Sequence, residues 1–423
     1  MVIFACCGSL ALFAQKNSVS PYSFYGIGES NKTITASQAA MGGMGVSLSD
    51  GYHLNLMNPA ANSALGLTTY AVALESKRIR LQDANTSQNA STTHLSYLAV
   101  GIPLGNKTAF TFGLLPNTSV GYSLMQSTYD TDGTSPLESS LYEGTGGTNK
   151  VFFGLGKELF KGLSIALQGN YIFGNTQNSV IHQVTGVSLA TKYENNATMN
   201  TFMWNAGLHY KTEIHDDLQL QVGANIDFEN QLDAQSDQYM YSVSFSAYGS
   251  PRDTILSTQG TGTIKTPLKT TVGVGLGKVS KWYAGIDYSF HKPLSLEGTF
   301  YNNNSRVSYT DYTRLSLGGY YIPKFNSITS YWERISYRAG LKFEKSGLMV
   351  RSSQAAGNFH EINDFGISFG VGLPVSKQLS NLNFGLEFGK RGKTTDGLVE
   401  EKYIQVKCSF SMNDKWFNKR KIF

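Results

Sequence analysis

Six ionisable side chains fall on the polar side of alternating runs: Asp227, Asp287, Arg338, Lys342, Glu387 and Lys407. Arg338, in "YRAGLKF", has the chemistry to pair with an anionic group, because a planar guanidinium forks onto a carboxylate. The bland reading of all six is a polar wall residue, solvated or paired with a neighbour. The 7 histidines, His53, His94, His182, His209, His215, His291 and His360, show no two-His spacing on one face with a carboxylate partner. No metal site is expected. There is no Ser-His-Asp arrangement and no Gly-x-Ser-x-Gly, so an enzyme is not expected, nor a cofactor. "GGMGVSL" has the look of a phosphate loop, but it lacks a strand before it, a helix after it and an acidic residue about 20 positions on. Gly42, Gly43 and Gly45 read instead as permitting tight packing in a small space.

The elements that carry these residues follow from composition. The chain of 423 residues has 44 Gly, 24 Tyr and 24 Phe, only 3 Cys, and 15% charged residues, where a soluble domain carries roughly 25%. Low charge with many aromatics and glycines suits a lipid-facing β surface. The apolar run from Val2 to Ala14, followed by polar residues, matches the core of a secretory signal peptide, although the positively charged start is missing. It is shorter than the roughly 20 apolar residues that a spanning helix needs. Cleavage is expected near Ala14 or Gln15; a lipoprotein reading through Cys6 or Cys7 is the weaker alternative. After cleavage only Cys408 remains, so no internal disulfide forms. The formal charge of +5 is modest, and no Lys/Arg run is interleaved with aromatics in a way that suggests nucleic acid.

After Gly66 no window offers 18 consecutive apolar residues, which excludes helical spans. Strict alternation appears instead. In "DLQLQVGANIDF" the residues Leu218, Leu220, Val222, Ala224, Ile226 and Phe228 share one face, and Gln219, Gln221, Gly223, Asn225 and Asp227 the other. "LSIALQGNYIF", "FGISFGVGL" and "NLNFGLEFG" repeat the pattern. A soluble sandwich alternates too, so loop parity must decide. Fourteen strands are expected, at 67–80, 92–104, 107–125, 148–160, 162–178, 196–212, 217–231, 262–278, 281–295, 309–322, 331–345, 362–374, 380–391 and 401–412. Short turns such as "GNK", "FKG", "HDD" and "VSK" alternate with long polar loops such as "MQSTYDTDGTSPLESSLYEGTGG" and "NNNSRVSYT". That asymmetry belongs to an outer-membrane barrel, with long extracellular loops and short periplasmic turns. The expected fold is all-β, a transmembrane antiparallel barrel of about fourteen strands in outer-membrane lipid. An even count puts both termini in the periplasm, and the interior has room for a plug or a ligand path.

Two proline positions interrupt the pattern. Asn58-Pro59-Ala60, in "MNPAANSALG", reads alone as a turn; lying between a glycine-rich segment and the first strand, it also suits a buried bend, with Asn58 satisfying backbone groups. Pro116, in "TAFTFGLLPNTSVGYSL", cannot donate to a ladder. Either the strand has left the membrane there or the wall kinks at Pro116 and Asn117. At the chain's end, "KWFNKRKIF" has Trp416 and Phe417 placed like an interfacial aromatic girdle, followed by basic residues.

The segment with "AAMGGMGVSLSD" and then Asn58-Pro59-Ala60, together with "GLLPNTSVGY", "IKTPLKTTVGVGLG" and "YIPKFNSITSYWERISYRAGLKF", resembles the long-chain fatty acid porin (FadL) family in its Bacteroidota branch. The resemblance implies an N-terminal hatch inside the lumen, formed by Gly42, Gly43, Gly45, Asn58, Pro59 and Ala60, and a lateral opening at a kinked third strand, at Pro116 and Asn117. Together with the signal, strand and tail readings, it divides the chain into a signal peptide (1–15), a hatch (16–66), the barrel (67–412) and a periplasmic basic and aromatic tail (413–423). It implies passive uptake of a hydrophobic small molecule such as a long-chain fatty acid, with Asp227, Asp287, Arg338 and Glu387 as lumen candidates. The alternative is a barrel of this kind serving as a non-transporting subunit or shuttle of a secretion or outer-membrane assembly machine.

Overall fold

The computed structural model describes residues 18–84, 86–130, 132–133, 135–215, 217–244, 251–298, 307–351, 357–375 and 380–416. The expected signal peptide and tail residues 417–423 lie outside the described residues. The strands in chain order are β1 (Glu29–Ser30), β2 (Thr68–Gln82), β3 (Ser87–Gly105), β4 (Thr108–Tyr129), β5 (Pro136–Phe160), β6 (Leu163–Val184), β7 (Ala190–His215), β8 (Leu218–Asp227), β9 (Asn230–Val243) and β10 (Pro251–Thr266). They continue with β11 (Lys269–Lys278), β12 (Trp282–His291), β13 (Ser295–Gly298), β14 (Val307–Tyr309), β15 (Tyr312–Tyr321), β16 (Ser336–Arg351), β17 (Phe359–Pro374), β18 (Asn381–Arg391) and β19 (Glu400–Asp414).

Fourteen of these, β2 to β8, β11, β12 and β15 to β19, form the wall of a closed antiparallel barrel. β19 closes the ring on β2 from Glu400↔Gln82 to Asp414↔Thr68, so the sheet ends on itself rather than on two free outer strands. The direction of burial settles what alternation alone left open. Val222 and Phe388 are 40% and 45% exposed, whereas Gln221 and Glu387 beside them are 5% and 8% exposed. A soluble sandwich would bury the apolar face; here it is the outer one, as in a barrel of the outer-membrane kind.

The expected strands each find a counterpart, with corrections at their ends. The run 217–231 breaks after Asp227 into β8 and β9, and 262–278 breaks at Pro267 and Leu268 into β10 and β11. Pro267 has no N–H to continue a ladder. β9 and β10 form a hairpin that pairs with the first half of β7 and prolongs the wall beyond β8 and β11. Most of the expected loop 125–147 is strand instead, because β4 and β5 pair out to Tyr129↔Pro136. The short turns are tight: Asn106 and Lys107 adopt left-handed backbone, with φ of 48° and 52°. One connection on the same end is longer. Residues Ile322 to Ile335 hold only one turn of 3₁₀-helix, Trp332–Arg334, so β16 starts at Ser336 rather than at 331.

Residues 18–66 contain little regular structure. A 3₁₀ turn at Pro21–Phe24 is capped by Ser20, α1 (Ala36–Ala39) has a capping box between Thr35 and Gln38, and a second 3₁₀ turn at Pro59–Ala64 is capped by Asn58. Ala36, Ala40, Met41, Met44, Val46, Asn58 and Ala60 are fully buried. Their neighbours are the inward-facing residues of the wall, which makes this contact the chief feature of the interior.

Candidate functional site

The glycine-rich stretch meets the wall through its backbone. Gly45 N–H and Val46 N–H both donate to Asp287 Oδ2, at 2.6 and 2.8 Å. Gly42 N–H donates to Ser368 Oγ at 2.7 Å, and Gly42 C=O accepts from Arg314 Nη2 at 3.1 Å. Gly42 and Gly43 need positive φ, 69° and 73°, and a Cβ on Gly43 would lie 2.0 Å from Arg314 Nη2. Glycine on the wall side matters equally: a Cβ on Gly340 would stand 2.1 Å from the Met41 carbonyl carbon. Close backbone approach, not phosphate binding, accounts for these glycines.

Asn58 ties the segment together. Its Oδ1 accepts from Ala60 N–H at 3.0 Å, and its Nδ2 donates to the carbonyls of Val46 and Leu208, each at 2.9 Å. Pro59 opens the 3₁₀ turn, where its missing N–H costs nothing, and Ala60 is packed without exposure. Thus Gly45, Asn58 and Asp287 lie in one connected cluster with Val46 at its centre.

Charged contacts hold the earlier part, residues 18–34. Glu29 Oε1 meets Arg391 Nη1 at 2.8 Å and Lys77 Nζ at 3.3 Å. Ser20 Oγ donates to Glu401 Oε1 at 2.5 Å, and Lys32 Nζ meets Glu344 Oε1 at 2.6 Å. Burial opposes charge on Glu29, but Lys77 and Arg391 outweigh it and hold its carboxyl down to about 2. A carboxyl whose pKa is lower in the docked segment than in the free one stabilises docking above the free value of 4.5 and loses that contribution as pH falls toward about 2. Hydrogen-exchange protection of residues 18–34 is therefore expected to drop over that window. Glu29→Gln should bring low protection at neutral pH and remove the step; a step that persists in the variant would assign it to another group.

The remaining expected residues are scattered. Glu387 belongs to a wall cluster, with Lys342 Nζ at 2.7 Å and Tyr403 OH at 3.0 Å, and Lys342 also reaches Asp364 at 3.2 Å. Lys407 pairs with Glu75 at 2.9 Å. Asp227 accepts from Asn225 Nδ2 at 3.1 Å and lines a cavity of about 440 Å³ between residues 18–34 and the wall. Arg338 donates to Asn383 Oδ1 at 3.0 Å and lines a second cavity, of about 210 Å³, at the short-turn end. β4 runs on through Pro116, with a register slip against β5 between Pro116 and Thr118. Its pairing with β3 ends at Leu98↔Leu114, and β1 takes that edge instead, at Glu29↔Ser119 and Ser30↔Thr118. Asn31 N–H donates to Asn117 C=O at 2.9 Å.

Sequence reasoning passed over Glu29, Lys32, Arg314, Glu344, Arg391 and Glu401. Alternation could have put the strand residues among them on the inner face, but no local signal pairs Glu29 with a residue more than three hundred positions away. Among the described residues no group of three or more His, Cys, Asp or Glu could hold a metal ion.

The same fold occurs in solved channels. The toluene transporter TodX of Pseudomonas putida is 16% identical, with a TM-score of 0.60 over 90% of this chain and 98% of that one. The toluene transporter TbuX of Ralstonia pickettii is 12% identical, with a TM-score of 0.58 over 90% and 98%. A FadL homologue of Pseudomonas aeruginosa is 11% identical, with a TM-score of 0.57 over 91% and 98%. Identities this low establish the architecture and nothing of the activity. No curated protein matches the sequence.

The family model described as BamG, by contrast, matches residues 1–423. This corrects the assignment to the FadL family and, with it, the expectation of a passive uptake channel: the motifs behind that resemblance follow from a barrel architecture that both share. The chain belongs to the BamG family.

Proposed function

We propose that this protein is a non-transporting β-barrel subunit linked to the machinery that assembles proteins in the outer membrane. The match of the BamG family over residues 1–423 carries this reading. The buried anchors of residues 18–66 support it, since a segment held by Asp287, Asn58 and the ion pairs of Glu29 and Lys32 suits a fixed plug. In this reading residues 16–66 are that plug and 67–412 the wall in outer-membrane lipid. Gly42, Gly43, Gly45, Asn58, Pro59 and Ala60 are the attachment points, and β1 docks on the edge of β4 beside Pro116 and Asn117. Asp227, Asp287 and Glu387 act as wall and anchoring residues. With an even strand count both termini fall in the periplasm, the C-terminal one beyond the end of β19 at Asp414.

Affinity purification from native outer membranes in mild detergent tests the proposal. The protein is expected to retain other assembly subunits in fixed ratio, and its depletion is expected to slow the insertion of other barrels. Recovery as a free monomer only, with barrel insertion unchanged on depletion, would count against it.

A further inference from the structure

A row of cations borders the outward apolar band of the wall at the end away from the short turns. On β18 the outward apolar run ends at Phe388 and the next outward residue is Lys390; on β19 it ends at Ile404 and the next is Lys402. On β2 it ends at Leu74, and Ser76, Arg78 and Arg80 follow. These three strands are consecutive around the barrel, and Lys390↔Lys402 and Lys402↔Arg80 are direct register partners. Arg78 lies one outward position below that row, opposite Ile404. On β6 and β7 the corresponding residues are neutral, Asn175 after Phe173 and Asn200 before Phe202.

Like charges on opposed strand positions repel, and this row is neutralised only in part. Glu400 meets Lys390 Nζ at 2.7 Å and Lys402 Nζ at 3.1 Å. Arg80 reaches Ser87 Oγ at 3.4 Å, and neither Arg78 nor Arg80 has a carboxylate partner among the described residues. Glu361, outward on β17, is held by Lys345 at 3.5 Å. Four exposed cations around one carboxylate attract an anion. Their neighbours narrow its chemistry. Arg78 stands opposite Ser91 and Arg80 opposite Asn89 on β3, and Ser76 Oγ and Thr93 Oγ1 lie 2.9 Å apart on the same exposed face. Guanidiniums fork onto phosphate, while hydroxyls and an amide hydrogen-bond sugar hydroxyls. Directly below, Leu74, Leu95 and Ile404 are 55%, 39% and 44% exposed, a surface for acyl chains.

We infer that the outer face of β18, β19, β2 and β3 is a binding site for a phosphorylated glycolipid of the lipopolysaccharide type, in the leaflet that faces the long connections. Arg78 and Arg80, with Lys390 and Lys402 beside them, take its phosphate. Ser91 and Asn89 take sugar hydroxyls, and Leu74, Leu95 and Ile404 take the first acyl carbons. The inference rests on the placement of residues 67–412 in outer-membrane lipid, and it adds a lipid ligand to the assembly-linked reading.

The test uses the full chain in dodecyl maltoside and native mass spectrometry with purified bis-phosphorylated lipid A. Controls are the same lipid A with its phosphates removed, and phosphatidylglycerol, which has a phosphate but no sugar. Lipid A is expected to bind saturably, one per barrel, and at least about tenfold more tightly than either control. Arg78→Gln with Arg80→Gln, checked for folding by heat-modifiable gel mobility, should lose about tenfold. Lys292→Gln should change nothing, since Lys292 lies beyond β12 and pairs with Asp311. Asn89→Ala with Ser91→Ala should bring lipid A down to the level of phosphatidylglycerol. Equal binding of lipid A with and without phosphates, or equal binding by the folded double-arginine variant, would overturn the site. Phosphatidylglycerol binding as tightly as lipid A would overturn its assignment to glycolipid. Each of these failures leaves fractionation with the outer membrane and co-purification with assembly subunits intact, whereas a failure of the functional reading shows in those two measurements whatever the lipid result.

Discussion

Gly340→Val is expected to expel residues 36–46 from the wall while leaving the barrel closed. Gly340 lies in β16 opposite Gly318 and Ser368, in extended backbone that valine adopts readily. The obstacle is on the inner side. A Cβ there would meet Met41 C at 2.1 Å, Gly42 N at 2.2 Å and Met41 O at 2.6 Å. All three are backbone atoms, so no rotamer change relieves the collision. Overpacking typically costs about 1–3 kcal/mol, and a displaced Met41 also carries Gly42 away from Ser368 and Gly45 away from Asp287. The expected loss of docking is about 3 kcal/mol or more, which makes the open form roughly a hundredfold more populated. Cleavage after Lys32 reports that population directly when opening is fast relative to cutting. Gly66→Ala is the control, since a Cβ at Gly66 meets nothing closer than 3.8 Å. A cleavage rate unchanged by Gly340→Val, in protein with normal heat-modifiable mobility, would mean that the segment is not held by this contact.

Gly340 also marks how far the sequence could be read. In "YRAGLKF" the polar alternation identified Arg338 and Lys342 as inward residues, because side-chain direction follows from the period of two. The glycine between them carries no side chain and so left no pattern, although it sets how close the segment approaches. The fourteen wall strands were legible for the same reason that Arg338 was: apolar and polar residues alternate across a sheet with unlike surroundings. The breaks at Asp227 and Pro267 were not, because β9 and β10 continue the alternation in a hairpin beyond the wall. The ion pairs of Glu29 and Lys32 join residues brought near only by closure of the ring. The family was the hardest part, since the glycine-rich segment and Asn58-Pro59-Ala60 reflect packing inside a barrel rather than what the barrel does.

Asp287→Ala attacks the same docking from the wall side and separates charge from hydrogen bonding. Asp287 is 2% exposed, and its Oδ2 alone accepts both Gly45 N–H and Val46 N–H. Alanine leaves two buried N–H groups without an acceptor. At about 1–3 kcal/mol for each group, the docking of residues 42–47 is expected to weaken by about 2–6 kcal/mol. Asn58 then amplifies the effect, because its Nδ2 bonds to Val46 C=O and to Leu208 C=O and loses the first when Val46 moves. Asp287→Asn keeps one carbonyl oxygen where Oδ2 stands, so both N–H groups retain a partner and only the charge assistance is lost, at about 1–1.5 kcal/mol. The order of protease sensitivity after Lys32 is therefore Asp287→Ala well above Asp287→Asn, and Asp287→Asn slightly above the natural protein. Equal sensitivity of the alanine and asparagine variants would show that charge, not acceptance of the two N–H groups, is what Asp287 contributes to holding the segment.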